Sequence, residues 1–447
     1  MNLKDFQQKL FESGKKFGFS DMEVFYTLNK STSISVQNKT IKDYDIAETS
    51  GLSFRGKFKE KIGYSFVEKI SEESIDFVLN DAIENAKIIE LNDEEVLFDG
   101  SGNYEQIKKY SEVLENTPVS KLIDAAFEME DIVLKEDSRI KQVLECNLSK
   151  TEYEVSIINT KGLNCYSKGC IVNAAAYVMA NEGEQNTTGY SSDYTMKDFS
   201  DINLHNIAKK SASEAISKLG AKTLKSGKYP VIFRHDMAGV LFSAFITNLS
   251  GENIEKGLSK LKGKIGEKIA GNNINVFEDP LMDGVPGATT FDAEGSPARK
   301  IKLIENGKLL TFMHNRRTAK KAGEQSTGNA FKNNYRSAIT VGPHNVYLKP
   351  GEKNLDDLIE KTEKGVLIIE LQGTHSGINS ISGDFSLYAT GFLIEDGKLA
   401  YPVNQITVSG NVFELWNDID DIGNDLMFKS NISAPSTKVR MLSISGD

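Results

Sequence analysis

Val276-Phe-Glu-Asp-Pro-Leu-Met-Asp-Gly-Val-Pro-Gly-Ala-Thr-Thr-Phe-Asp-Ala-Glu-Gly-Ser-Pro-Ala-Arg299 is the stretch around which the chain is organised. About a third of it is Gly, Pro or Asp, which predicts loop over helix or strand. Downstream, apolar residues flank Glu305-Asn306-Gly307. Asn-Gly suits a tight turn with positive φ, so residues 303–312 are predicted to form a hairpin. The stretch closes on Gln325-Ser-Thr-Gly-Asn-Ala330. So many positions needing special backbone geometry indicate a shaped loop, packed into a domain or lining a cleft.

Asp279-Pro280, Phe291-Asp-Ala-Glu-Gly295 with Pro297, the hairpin and Ser326-Thr-Gly-Asn329 occur in order over some fifty residues. Together they resemble the TldD/PmbA family, whose members are called modulators of DNA gyrase or TldD/TldE-type peptidases.

The 447 residues suggest two or three domains with ample core. With 39% hydrophobic and 26% charged residues, the composition is that of an ordinary soluble globular protein. A formal net charge of −10 argues against a nucleic-acid binder, which needs a basic footprint. The first ten residues lack the apolar core of a signal peptide, and no run approaches 18 apolar residues. A cytoplasmic protein is expected. Three cysteines make no disulfide framework. Cys165 and Cys170, at odd spacing in a predicted strand, face opposite ways and are read as buried free thiols.

Leu3, Phe6, Leu10, Gly14 and Phe17 recur at helical spacing. Strands are predicted at 22–28, 31–37, 43–54 and 62–67, then a helix at 71–88 capped by Ser71. After an acidic linker at 90–116 the order recurs: a helix at 119–135, strands at 139–148, 152–159, 163–179 and 184–194, and a helix at 204–219. Gly51-Leu-Ser-Phe-Arg-Gly56 and Gly162-Leu-Asn-Cys-Tyr-Ser167 read as equivalent places in the two copies. The polar linker at 221–228 is the best boundary. The expected architecture is α+β, with a duplicated helix–four-strand–helix N-terminal half and a mainly antiparallel β C-terminal half. The domains are 1–220, with repeats at about 1–90 and 117–220, and 229–447.

An apolar helix is predicted at 236–249, with Asp236 as N-cap and Ser243, Thr247 and Asn248 as its inner polar residues. The resemblance implies that the TldD-type subunit carries His-Glu and a second His here, able to hold Zn²⁺ with the Glu as general base. An ungapped reading puts Ser243, Ala244 and Asn248 at those places. The five histidines are followed by Asn206, Asp236, Asn315, Asn345 and Ser376, so no His-Glu pair exists. The resemblance also implies a Cys ligand near the C-terminus of the TldD-type chain. Phe428-Lys-Ser-Asn-Ile-Ser-Ala-Pro-Ser436 has none. Neither a catalytic residue nor a metal ligand is therefore expected in this chain.

Gly373-Thr-His-Ser-Gly-Ile-Asn-Ser-Ile-Ser-Gly-Asp-Phe-Ser386 resembles the PmbA/TldE branch. Read from its residues, it is a loop between strands where hydroxyls converge. His375 beside Ser376 raises a hydrolase reading, opposed by adjacent strand residues facing opposite ways and by the absence of a G-x-S-x-G elbow. The candidate cleft or interface residues are His314, Arg317, Ser326, Thr327, Asn329, His375, Ser376, Asn379 and Asp384. Arg317 offers a planar fork for a peptide carboxylate, or belongs to a solvated basic turn. Asp279, Asp283, Asp292 and Glu294 could supply oxygen ligands to a hard cation, although caps and turns explain them as well. His205 is read as a surface residue.

The resemblance implies a PmbA/TldE-type subunit of a peptidase acting on peptides and unfolded segments. Zinc is expected in a TldD-type partner and no cofactor in this chain. The partner is that subunit or a second copy. A non-proteolytic protein-binding regulator is the alternative, and an independent hydrolase the third reading.

Overall fold

Long strands, each bent back on the next, build the N-terminal half. Residues 1–89 and 97–447 are described by the computed structural model; the first part of the linker, 90–96, lies outside the described residues. The first copy runs α1 (Leu3–Phe17), β1 (Phe19–Gln37), β2 (Thr40–Phe58), β3 (Lys61–Val67) and α2 (Glu73–Ile88). After a single turn, α3 (Glu112–Glu115), the second runs α4 (Val119–Glu136), β4 (Ile140–Asn159), β5 (Asn164–Glu182), β6 (Gln185–Thr195) and α5 (Leu204–Ser217).

The copies share one six-stranded sheet in the order β3-β2-β1-β4-β5-β6, with β1 and β4 antiparallel at its centre. That mirrored order relates the copies by an approximate two-fold axis between β1 and β4. Phe6 and Leu10 of α1 pack with Val78 and Leu79 of α2 on one half. Leu122, Met129 and Val133 of α4 pack with Ile207 and Ala212 of α5 on the other. Cys165 and Cys170 are free, buried, and in different apolar clusters, as opposite strand faces require.

Each copy has three long strands where four were expected. Asn29-Lys30 and Ser149-Lys150-Thr151 continue the ladder, with Lys30 opposite Glu152 and Ser31 opposite Thr151. Their polarity marks a part-exposed strand centre rather than a reversal. In the first copy the reversals fall at Asn38-Lys39 (φ 54° and 56°) and Lys59-Glu60 (φ 49° and 55°), turns with no Gly to announce them, whereas the second copy turns through Gly162 and Gly183 (φ 105° and 63°). Nor are the two Gly-led segments equivalent: 51–56 lies well along β2, whereas 162–167 spans the entry to β5. Ser71 does not cap α2. Its hydroxyl meets that of Ser74 at 2.9 Å, and Glu72 precedes the helix without a side-chain cap.

The C-terminal half opens with β7 (Gly227–Phe233) and α6 (His235–Ile246), continued by a 3₁₀ turn at Thr247–Leu249, and then α7 (Gly251–Glu255). Arg234, not Asp236, is the N-cap of α6. Asp236 instead ion-pairs with Arg234 at 2.6 Å and accepts from the Met237 N–H at 3.1 Å. Thr247 is exposed, because the chain narrows to 3₁₀ there and turns it outward.

The central stretch follows, with β8 (Val276–Glu278), then the hairpin β9 (Ile301–Glu305) and β10 (Lys308–Leu309). Asn306 and Gly307 sit at φ 50° and 77°, the two left-handed positions that an Asn-Gly turn supplies. Next come α8 (Arg316–Ala322), β11 (Ala330–Phe331), β12 (Thr340–Val341), β13 (Val346–Leu348) and α9 (Leu355–Glu360). The chain ends through β14 (Lys364–Gln372), α10 (Thr374–Gly377), β15 (Asp384–Glu395), β16 (Lys398–Asn411), α11 (Val412–Leu415), β17 (Ile419–Ile422), β18 (Ile432–Ser433) and β19 (Thr437–Ser445).

A second six-stranded sheet, β16-β15-β14-β7-β19-β17, curls until β16 also pairs with β19. Only β7 and β14 are parallel in it. Leu241, Phe242 and Phe245 of α6 pack into its core with Trp416, whose ring centroid lies 5.1 Å from that of Phe242. A five-stranded sheet, β10-β9-β8-β13-β18, carries the central stretch alongside. The fold is therefore α+β with mainly antiparallel sheets. Among the described residues, no helix is long and apolar enough to cross a membrane.

Candidate functional site

The loop 276–330 is held by carboxylates turned inward. Asp292 Oδ1 accepts from the N–H groups of Glu294 and Ser296, both at 2.9 Å. Its Oδ2 accepts from the Ala330 N–H at 3.1 Å. One side chain thus fastens the Phe291–Gly295 turn to the Ser326–Ala330 turn. Burial, with Glu294 beside it, pushes the Asp292 carboxyl above its ordinary range, while the three N–H donors pull the other way.

Glu278 Oε1 accepts from the N–H groups of His344 and Asn345 at 2.9 and 3.4 Å. Burial pushes this carboxyl up to about 8. The His344 ring Nε2 lies 3.0 Å from the Gly328 carbonyl, so that nitrogen carries the proton. Burial lowers its pKa to about 4, leaving the ring neutral.

Thr327 Oγ1 accepts from the His314 N–H at 2.7 Å and lies 2.7 Å from Asn329 Oδ1. Asn329 Nδ2 donates to the Gly342 carbonyl at 3.1 Å. The backbone N–H groups of Thr327 and Asn329 both donate to the His314 carbonyl, and that of Gly328 to Ser326 Oγ. His314, Thr327 and Asn329 are all buried. These motif residues therefore spend their hydrogen bonds on one another and set the shape of a wall.

That wall borders a cleft of about 980 Å³ between the N-terminal sheet and the C-terminal half. Arg317 and Ser326 line it, with Arg55, Glu294 and Arg316. Arg317 Nη1 contacts both oxygens of Glu255 at 3.1 and 2.8 Å. Glu294 Oε2 accepts from the Arg316 N–H at 2.8 Å, and its Oε1 lies 3.8 Å from Arg55. Arg55 Nε donates to Glu23 at 2.7 Å, and Asn159 Nδ2 donates to the other Glu23 oxygen at 3.2 Å. This buried chain of charges joins β1, β2 and β4 to the central loop. Residue types in alternating strands gave no hint of it, although Arg55 sits within the Gly51–Gly56 segment.

The other candidates lie at a different place. His375 and Ser376 are exposed on α10, a short helical turn where a strand-flanked loop was expected. Asn379 Oδ1 accepts from the N–H groups of Ile381 and Ser382 at 3.0 Å. Asp384 accepts from Asn411 Nδ2 and Ser382 Oγ at 2.8 Å. The hydroxyl–imidazole contact found among the described residues is Thr318 Oγ1 to His314 Nδ1 at 3.1 Å, and both side chains are buried.

Asn248 connects this loop to α6, for its Nδ2 donates to the carbonyls of Ser380 at 2.9 Å and Ala244 at 3.2 Å. The segment Phe428–Ser436 also reaches α6: β18 packs beside that helix, and Ala434 is buried in the same core. The two places where the resemblance implied zinc ligands are therefore neighbours in the fold. Their donor set does not fit zinc. Ala244 offers a methyl group, Ser243 a neutral hydroxyl, and the Asn248 amide nitrogen is committed to two carbonyls.

Of the four acids considered for a hard cation, Asp279 ion-pairs with Lys300 at 2.6 Å and Asp283 accepts from the Lys108 N–H at 2.6 Å. Asp292 and Glu294 serve the loop as described. No group of three or more His, Cys, Asp or Glu is placed to hold a metal ion among the described residues. His205 is exposed, 3.8 Å from Glu136.

Sheet pairing, the inward carboxylates and the α6–β18 packing define a two-half α+β fold with mainly antiparallel sheets. The chain belongs to the PmbA/TldD family: residues 22–86 match PmbA/TldA metallopeptidase domain 1, 112–219 the central domain and 226–446 the C-terminal domain. A Thermotoga maritima protein described as a modulator of DNA gyrase is 31% identical and superposes with a TM-score of 0.92, over 99% of this chain and 100% of its own. The metalloprotease PmbA of Escherichia coli O157:H7 is 30% identical over 236 residues, 53% of this chain and 50% of that one. TldE from Thermococcus kodakarensis shares the fold with a TM-score of 0.88 at 24% identity, over 99% of this chain and 100% of its own.

Proposed function

We propose that this chain is a PmbA/TldE-type subunit, without a zinc site of its own, in a TldD/TldE-like metallopeptidase assembly that degrades peptides or unfolded segments. The observation that carries this reading is the set Ser243 and Ala244 on α6 with Asn248 on the 3₁₀ turn that continues it, Asn248 being spent on Ser380. A helix that offers a methyl where a general base would stand supplies fold and surface rather than hydrolysis. The zinc then belongs to a TldD-type partner. Operation in the cytoplasm goes with this reading.

The test is the purified chain, alone and supplied with zinc, on unfolded peptides. It should cleave nothing. Cleavage that disappears on chelation would overturn the reading.

A second reading, a non-proteolytic protein-binding regulator, is favoured by the description of the Thermotoga relative as a gyrase modulator. It predicts recovery of a regulated protein, and no peptidase chain, when this protein is captured from its source.

A further inference from the structure

We propose that the recess between the end of β6 and the segment 427–429 binds an apolar amino acid in its zwitterionic form. This inference rests on the peptide-handling reading above, for which such a molecule is an end product. The recess shares no lining residue with the cleft of the candidate site.

Charges of both signs, left unpaired, are the first argument. Asp193 and Asp201 line the recess with Lys197 and Lys429. Among the described residues no ion pair joins any of these four, and Lys197 Nζ has no hydrogen-bond partner. Lys429 Nζ donates to the Ser192 carbonyl at 2.7 Å. Each carboxylate has one oxygen engaged. Asp193 Oδ1 accepts the Tyr194 N–H at 2.9 Å, and Asp201 Oδ2 accepts the Thr195 hydroxyl at 3.3 Å. The second oxygen of each has no partner among the described residues. The lining charges cancel, so a ligand of one sign meets as much repulsion as attraction. A ligand with an ammonium and a carboxylate meets an opposite charge at each end.

The second argument is that the wall is set before anything binds. Thr195 is buried, and its Oγ1 accepts the Lys197 N–H at 3.1 Å while donating to Asp201. The Lys197 stem runs beside Gly284, whose N–H is tied to the Lys108 carbonyl at 2.8 Å. Phe428 stands edge-on to Tyr347, ring centroids 5.4 Å apart. With Met196 and Met427 it gives the recess an apolar side. Methionine adapts to side chains of different shape, and a wall already in place loses little freedom on binding.

Size and donor set exclude the other occupants. At about 320 Å³ the recess lies at the lower end of the ~300–1,000 Å³ usual for ligand sites, room for a small molecule and not for a folded partner. Inorganic phosphate would face Asp193 and Asp201 as well as the lysines. A metal ion would need converging ligands, and no group of three or more His, Cys, Asp or Glu is so placed among the described residues.

The test is calorimetric titration of the full chain, at neutral pH, with L-leucine. The comparisons are N-acetyl-leucine, which keeps only the carboxylate, and leucinamide, which keeps only the ammonium. L-Leucine should bind about tenfold more tightly than either blocked form, the scale of one charge-assisted hydrogen bond. Lys197→Ala, at an exposed position, should abolish the advantage over leucinamide. Asp193→Asn/Asp201→Asn, which keeps an acceptor for Tyr194 and Thr195, should abolish the advantage over N-acetyl-leucine. Absence of L-leucine binding at millimolar concentration, equal binding of all three compounds, or unchanged preferences in variants that melt like the parent would each overturn the proposal. The ligand is titrated onto this chain alone, so a negative result removes the recess without touching the cleavage test of the subunit reading.

Discussion

Asp292 Oδ2 accepts the Ala330 N–H at 3.1 Å, and so joins two turns separated by 38 residues of chain. Its other oxygen holds the Glu294 and Ser296 N–H groups. Asp292→Asn must place an amide N–H₂ against an N–H donor at one of these sites. Leaving a buried donor unmet costs about 1–3 kcal/mol. Asp292→Ala strands all three donors and should cost about 3 kcal/mol or more. Denaturant midpoints of the two variants check the order Ala below Asn below the parent.

Glu278 gives the protein a pH dependence of known sign. Its carboxyl, ordinarily at 4.5, rises to about 8 on burial. The folded state therefore binds this proton more tightly than the unfolded chain does. Its contribution is fully present below the ordinary value and is lost as pH rises through about 8. Glu278→Gln should flatten the fall in stability between these limits. Urea unfolding of parent and variant across that window reads the difference, and parallel curves would contradict the assignment.

Glu23 and Arg55 are a buried pair at 2.7 Å, each less than a tenth exposed. Removing one partner leaves the other charged and enclosed, which costs about 3–5 kcal/mol. Glu23→Ala should be far more destabilising than the exposed-pair variant Lys9→Ala, whose partner Glu72 is largely solvated. Paired melting curves would show the gap.

Gly51 lies under the ring of Tyr335, where a Cβ would come within 2.5 Å of three ring carbons. The Tyr335 hydroxyl in turn donates to Glu68 at 3.0 Å. This contact seats the 331–340 segment on the N-terminal sheet. Gly51→Val should displace the ring and cost about 1–3 kcal/mol by overpacking. Amide exchange across 331–340 should accelerate in the variant, and exchange in α4 should not.

The duplicated pattern was legible because apolar periodicity survives in α1, α4 and α5. The Asn306-Gly307 turn was legible because left-handed positions favour those residues. Strand length was not. Asn38-Lys39 and Lys59-Glu60 adopt the same backbone without glycine, and polar Asn29-Lys30 imitated a break inside a continuous strand. The motif stretch could be quoted from the sequence, whereas its wiring could not. The Glu278 carboxylate accepts from the His344 backbone N–H, 66 residues away, and Arg55 reaches Glu294 from the other half of the chain. Such partners are brought together by topology, to which local spacing is blind. Placing the segment Phe428–Ser436 beside α6 required the parallel pairing of β13 with β18.

In the proposed assembly the chemistry lies in another chain. A native mass spectrum with metal analysis, on protein isolated from its own source, tests it most directly. The account predicts a heteromer with zinc in a second chain carrying a His-Glu motif. A metal-free assembly of this chain alone would contradict it.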